Sequence, residues 1–120
     1  MNGDFDKPLL GDYHLLSTSA HQVQVMHMTD SDNPGIPPKV VEIGWNKSFI
    51  IAKQQRLKER GDFPGDKLLV PVPSQFAFWI VSVGKTNRYG PLSEKEFNEK
   101  LEALSQKELR LKPLSEVRWQ

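Results

Sequence analysis

The 120-residue chain contains no cysteine. Disulfides, thiolate nucleophiles and cysteine-ligated zinc are therefore excluded. No apolar run approaches the roughly 20 residues of a membrane-spanning helix, so no transmembrane segment is expected. The first residues, MNGDFDKPLLGDY, lack the basic start and apolar stretch of a secretory signal peptide. A cytoplasmic location is the default expectation, with the periplasm as the alternative if a leader has been trimmed. Charge of one sign is also scarce: sixteen basic and fifteen acidic side chains leave a net +1. A nucleic-acid surface needs clustered positive charge, so nucleic acid is not expected as a partner. The chain has no Gly-x-Ser-x-Gly elbow and no phosphate loop. Gly84-Lys85-Thr86 shares only letters with such a loop, because Trp79 stands where its first glycine would be. No cofactor is implied.

The charge that is present is unevenly spread. Residues 1–33 carry one Lys and five Asp, a net of −4, whereas residues 39–67 carry seven basic and four acidic groups, a net of +3. Within the second stretch Lys53, Arg56, Lys58 and Arg60 cluster, and the ordinary reading is a solvated loop.

Residues 1–11 read as a polar lead-in and 12–120 as a single domain. Asp12–Thr18 and Gln22–Met28 alternate apolar with polar and are broken by Ser-Thr-Ser-Ala, which predicts a hairpin. Residues 30–38 carry three prolines and several turn formers, so they read as a loop. Val40–Trp45 and Phe49–Gln54, joined by Asn46-Lys47-Ser48, form the clearest hairpin. Residues 56–67 read as a second long loop. Leu68–Val70 reads as a short strand stopped by Pro71 and Pro73. In the most apolar strand, Phe76, Phe78 and Ile80 face one way; Trp79, Val81 and Val83 face the other. Both faces must then be covered. A helix can cover one; the other is expected under the long loops or against a partner. The chain turns at Gly84–Asn87 and returns through Arg88 and Tyr89.

The stretch YGPLSEKEF opens a helix. Ser93 and Glu96 have the spacing of a capping box, and Leu92 and Phe97 that of a hydrophobic staple. Glu94 and Glu96 suit the positive end of the helix dipole. Phe97, Leu101 and Leu104 share one stripe. The helix is expected from Ser93 to about Gln106, before Pro113. The fold class is therefore α+β: an antiparallel β-meander of about five strands, one C-terminal helix packed on a face, and a tail strand or extended segment at Leu114–Trp119.

Residues 78–97, from Phe78-Trp79-Ile80-Val81 to Pro91-Leu92-Ser93, resemble the hairpin-to-helix core of GYF-type domains. That family binds proline-rich peptides on an aromatic surface. Here Leu92 replaces the usual Phe, and no Gly-Tyr-Phe element follows the helix, so the likeness reads as a shared way of starting a helix after a hairpin. More broadly, GDYHLL, IPPKVVEIGWNKSFIIAKQ and FWIVSVGKTNRYGPLSEKEF resemble a family of small bacterial proteins without established activity, some of them lipoproteins. This resemblance implies a bacterial origin, a meander-plus-helix domain and no catalytic residues. A lipid-anchored member needs a lipobox cysteine, which this chain lacks.

Candidate functional residues are few. His14 and His27 would face each other if the first hairpin turned about Ala20-His21, and with Asp12 or Asp30 they would offer a metal site; the ordinary reading is surface histidines. Asp30–Gly35 begins like a calcium loop but has Pro34 at its fifth position and Val41 at its twelfth. Asp62 and Asp66 flank Phe63-Pro64-Gly65 without any feature that would raise a pKa. Trp45, beside Lys47 and Lys53, is an aromatic anchor for a partner if exposed; otherwise it caps the sheet. Trp79 and Tyr89 face either a ligand or the core. The expectation is a non-catalytic module that binds another protein or a peptide, as an inhibitor or immunity-like protein does, and is a monomer or homodimer. The alternatives are a GYF-like peptide binder and a small metal-dependent hydrolase using His14 and His27.

Overall fold

In the computed structural model, which describes residues 4–33, 35–85 and 87–119, the alternating segments sort into two sheets. Strands β1 (Phe5–Pro8), β2 (Tyr13–Ser17) and β3 (Val23–His27) form a three-stranded antiparallel sheet in that order. Strands β4 (Val40–Trp45), β5 (Phe49–Glu59), β6 (Leu69–Ser82), β7 (Asn87–Leu92) and β8 (Lys112–Pro113) form a second sheet, ordered β7-β6-β5-β4-β8. The run β4 to β7 is the expected meander, and α1 (Glu94–Ala103) follows it. The fold is α+β, with the strands divided between two sheets. Part of the polar lead-in is β1, whose Phe5 packs against the core.

Strand β6 explains the layering. Trp79 and Val81 join Ile50, Ala52, Ile43 and Val40 of the large sheet and meet Tyr13, Leu15, Val23 and Val25 of the small one. Phe78 and Ile80 turn the other way and pack with Ile51, Phe97 and Leu101. The small sheet, the large sheet and α1 thus make three layers around two apolar seams. The second face of β6 was expected under loops or a partner. It lies under the N-terminal sheet, because the first hairpin presents its own apolar parity and must bury it. Fully burying a side chain such as Ile50, Ile51 or Ile80 contributes about 1.5–3 kcal/mol.

The capping box at Ser93 is complete. Its hydroxyl accepts from the Glu96 amide at 3.1 Å, and the Glu96 carboxylate accepts from the Ser93 amide at 2.8 Å. Leu92 and Phe97 both pack in the helix-side seam. The helix ends three residues short of Gln106. Ser105 adopts a positive φ of 59°, and the Gln106 amide donates back to the Leu101 carbonyl, the wrapped ending of a Schellman turn.

Two expectations about the second half fail. Residues 56–67 are not a long loop: β5 continues to Glu59, and β6 starts at Leu69 and runs through Pro71 and Pro73. Prolines are tolerated there because β7 pairs with Phe78–Ser82, leaving that edge of β6 without a neighbour among the described residues. Leu114–Trp119 is not a strand either, and the alternative of an extended segment holds only after a turn, at Val117. It holds a 3-10 turn at Leu114–Glu116, and Trp119 then stacks on Trp45 with centroids 5.6 Å apart.

Candidate functional site

Trp79 is a core residue, 6% exposed. Its Nε1–H donates to Gln54 Oε1 at 2.7 Å, and Gln54 Nε2 donates to the Pro38 carbonyl at 2.7 Å. Arg88 lies over the indole at 5.0 Å and donates to the Gly35 carbonyl. No peptide can reach this ring. Tyr89 points to the opposite face, where it lines a groove of about 550 Å³ with Leu92, Glu96 and Lys100. The Lys100 ammonium sits 4.3 Å from its ring centroid. Trp79 and Tyr89 therefore do not share one aromatic surface.

Trp45 and Lys53 are separated in the same way. Trp45 opposes Ile50 on the seam between the sheets and stacks on Trp119, so it caps the sheet end. Lys53 faces the helix side, 3.7 Å from Glu42 and 4.4 Å from the centre of the Phe76 ring.

The histidines are offset by one residue from the expected register. Tyr13 opposes His27, and His14 opposes Met26. A one-residue slip sends side chains to opposite faces, so His14 and His27 cannot share a metal. His14 pairs with Asp6 across β1. His27 packs edge-on against Tyr13 and accepts from the Asp30 amide. Burial pushes the Tyr13 phenol above its ordinary pKa, and the nearby Asp30 carboxylate adds to this. Among the described residues no three His, Asp or Glu side chains gather as a metal would need. In the 30–35 loop Asp30 accepts from the Asp32 amide, a local turn; Pro34 lies outside the described residues, as does Thr86 in the later turn.

What the structure adds is an arm. Among the described residues, β5 and β6 pair only with each other beyond Gln55 and Phe76, at Leu57–Pro71, Lys58–Val70 and Glu59–Leu69. The four residues Arg56–Glu59 of β5 reach roughly 13 Å as extended strand, and the molecule is elongated, 47 Å along one axis and 30 Å along the other two. Both edges are guarded against strand addition, by Pro71 and Pro73 on one side and Arg56 and Lys58 on the other. The tip is not guarded. Phe63 is 57% exposed and Leu68 53%, with Leu69 also exposed beside them.

The tip is held in shape by one carboxylate. Asp66, buried although its neighbours are exposed, accepts from Arg60 Nε at 2.8 Å and from the amides of Asp62 and Leu68. The Arg60 hydrogen bond, helped by these amides, holds its carboxyl below the usual carboxylate range. Asp62 and Asp66 are therefore not an acid–base pair: Asp66 is a fixed, ionised clamp. Gly61 and Gly65, at φ of 67° and 86°, supply the turns around it.

Residues 10–117 match the model of a family described as a protein of unknown function, DUF3997. The chain belongs to the DUF3997 family. No curated protein and no solved structure matches it. The whole arm lies inside the span shared with DUF3997, whereas β1 and Trp119 lie outside it. The sequence offered one signal for the arm: Phe-Pro-Gly between two charged runs. Its prolines concealed the strand that carries it.

Proposed function

We propose that this DUF3997 chain is a non-catalytic protein-interaction module, bacterial as its sequence resemblance implies, that engages another protein with the tip of the β5–β6 arm. The observation that carries this is Phe63, more than half exposed on a tip clamped by Asp66. A rigid loop with a bare aromatic loses little freedom on binding, and a large aromatic is the usual anchor of an interface. Insertion of such a tip suits an inhibitor or immunity-like mode, in which one protein occludes another. The non-catalytic part of the reading rests on the sequence, which carries no nucleophile or phosphate motif.

Photocrosslinking in cells tests the arm. A photoreactive residue at position 63 is expected to give a discrete adduct, and one at position 99, on the exposed side of α1, none. Adducts from position 99 alone, or from neither, would refute the reading.

A further inference from the structure

We infer that the hollow where the C-terminal segment crosses the Trp45 end of β4 is a binding site for a phosphate group. It lies at the end of the large sheet away from the arm. Trp45 opposes Ile50 beside the β4–β5 turn, whereas the arm leaves beyond Gln55. The site is therefore independent of the arm.

The fold gathers three cations there. Strand β8 pairs with β4, Lys112 opposite Ile43. The segment before it approaches closely: a Cβ on Gly44 would come within 2.2 Å of the Arg110 carbonyl oxygen, so glycine lets Arg110 lie against the strand. After the turn at Leu114–Glu116 the chain returns, and the stack of Trp119 on Trp45 brings back Arg118. Arg110, Lys112 and Arg118 then line one hollow of about 240 Å³. Half-buried Trp45 and Val117 wall it, and Ile43 is buried behind them.

No carboxylate offsets these charges. No Asp or Glu lines the hollow. Among the described residues none of the three cations forms an ion pair, unlike Lys53, Arg60 and Lys67. Glu108 and Glu116, in the same segment, neither line the hollow nor pair with them. A hollow lined by one sign of charge raises the local concentration of counter-ions. Arg110 is also held in place: its Nη1 donates to the carbonyls of Lys107 and Leu109, which leaves Nε and Nη2 to donate elsewhere. A guanidinium offers its donors as a planar fork that matches two phosphate oxygens, and a fork already fixed loses less freedom on binding.

Size and charge select the ligand. The hollow is smaller than the roughly 300–1,000 Å³ of a small-molecule pocket, so it takes a head group and not a whole cofactor. Three cations match a phosphate dianion better than a single carboxylate charge. Free phosphate and a phosphate monoester share this chemistry.

Titration of isotope-labelled protein with sodium phosphate, followed by NMR at constant ionic strength set with sodium chloride, provides the test. Shifts should be confined to residues 43–45, 110–112 and 117–118 and should saturate with a Kd on the order of 1 mM. Lys112→Gln and Arg118→Gln should each weaken binding about tenfold, the worth of one charge-assisted hydrogen bond. Neither side chain makes a hydrogen bond within the described residues, so both variants should fold; if one does not, the other carries the test. Lys58→Gln, which removes a cation of the arm, should leave the Kd unchanged. Tighter binding of glycerol phosphate than of inorganic phosphate would identify an ester as the source, and equal binding the free ion. Absent shifts, shifts that rise without saturating, shifts centred on Arg56 and Lys58, or an unchanged Kd in both hollow variants would each overturn the inference. None of these outcomes bears on crosslinking at position 63, so the arm reading stands or falls separately.

Discussion

The indole of Trp79 occupies the space that a side chain on Gly90 would need: a Cβ there would come within 2.5 Å of indole Cε3. Gly90 has a φ of 149° and sits where β6 and β7 lose register, with Phe78 opposing Leu92 and Ile80 opposing Tyr89. The glycine before the helix start is thus explained by a core tryptophan on the neighbouring strand.

Gly90→Ala should therefore destabilise the protein by about 1–3 kcal/mol, the range for forcing extra volume into a packed core. The neighbour is a rigid ring that cannot swing aside. Thermal unfolding should show a Tm lower by roughly 3–6 °C per kcal/mol. An unchanged Tm would mean that the indole can move.

Gln54 satisfies two groups at once, the Trp79 indole N–H and the Pro38 carbonyl. Gln54→Leu keeps the bulk but orphans both. A buried group left unpaired costs about 1–3 kcal/mol, so urea unfolding should show a loss of at least that size. Gln54→Glu retains the acceptor for Trp79 and discards the donor, separating the two contributions.

Acid stability has a definite sign. Hydrogen bonds from Arg60 and two amides lower the pKa of Asp66. The Ser93 amide, then its hydroxyl, lowers that of Glu96. A carboxyl lowered on folding stabilises above its unfolded value, and this contribution is lost as pH falls through the folded value. The wild type should therefore weaken below about pH 4. Asp66→Asn/Glu96→Gln should start less stable at pH 7 and show a flatter acid limb in denaturant titrations. Parallel limbs would contradict the assignment.

His14 and His27 should respond unequally. His27→Ala removes an edge-on ring contact with Tyr13 and the acceptor for the Asp30 amide, with an expected cost of about 0.5–1.5 kcal/mol from the ring pair alone. His14→Ala removes an exposed pair with Asp6, for which about 0–1 kcal/mol is usual. Equal zinc-dependent stabilisation of the wild type, lost in both variants, would restore the shared-metal reading.

Local features were legible because they involve close neighbours in sequence. Ser93 and Glu96 are three residues apart, and the capping box they predict is formed. The Phe49-to-Val40 hairpin and the two-faced strand around Trp79 followed from alternation alone. Strand β4 departs from strict alternation: a register shift between Val40 and Glu42 puts Val40, and not Val41, in the core with Ile43. The site residues were less legible. Trp45 and Lys53 are neighbours in the sequence of one hairpin, yet strand parity sends them to opposite faces. Burial of Trp45 depends on Trp119, 74 positions away.

By itself, then, the sequence determined the α+β class, the hairpins and the entry of α1, all set by hydrogen bonds and side-chain periods within a few residues. Tertiary structure decided the rest. It placed the first hairpin as a separate sheet over β5 and β6, because each had an apolar face left to bury. It set the register that parts His14 from His27, since a turn of this length permits either pairing. It also made residues 56–72 an arm and not a loop. Pro71 and Pro73 forbid a central strand but not a free edge, and only the end of β7 at Leu92 reveals that this edge is free.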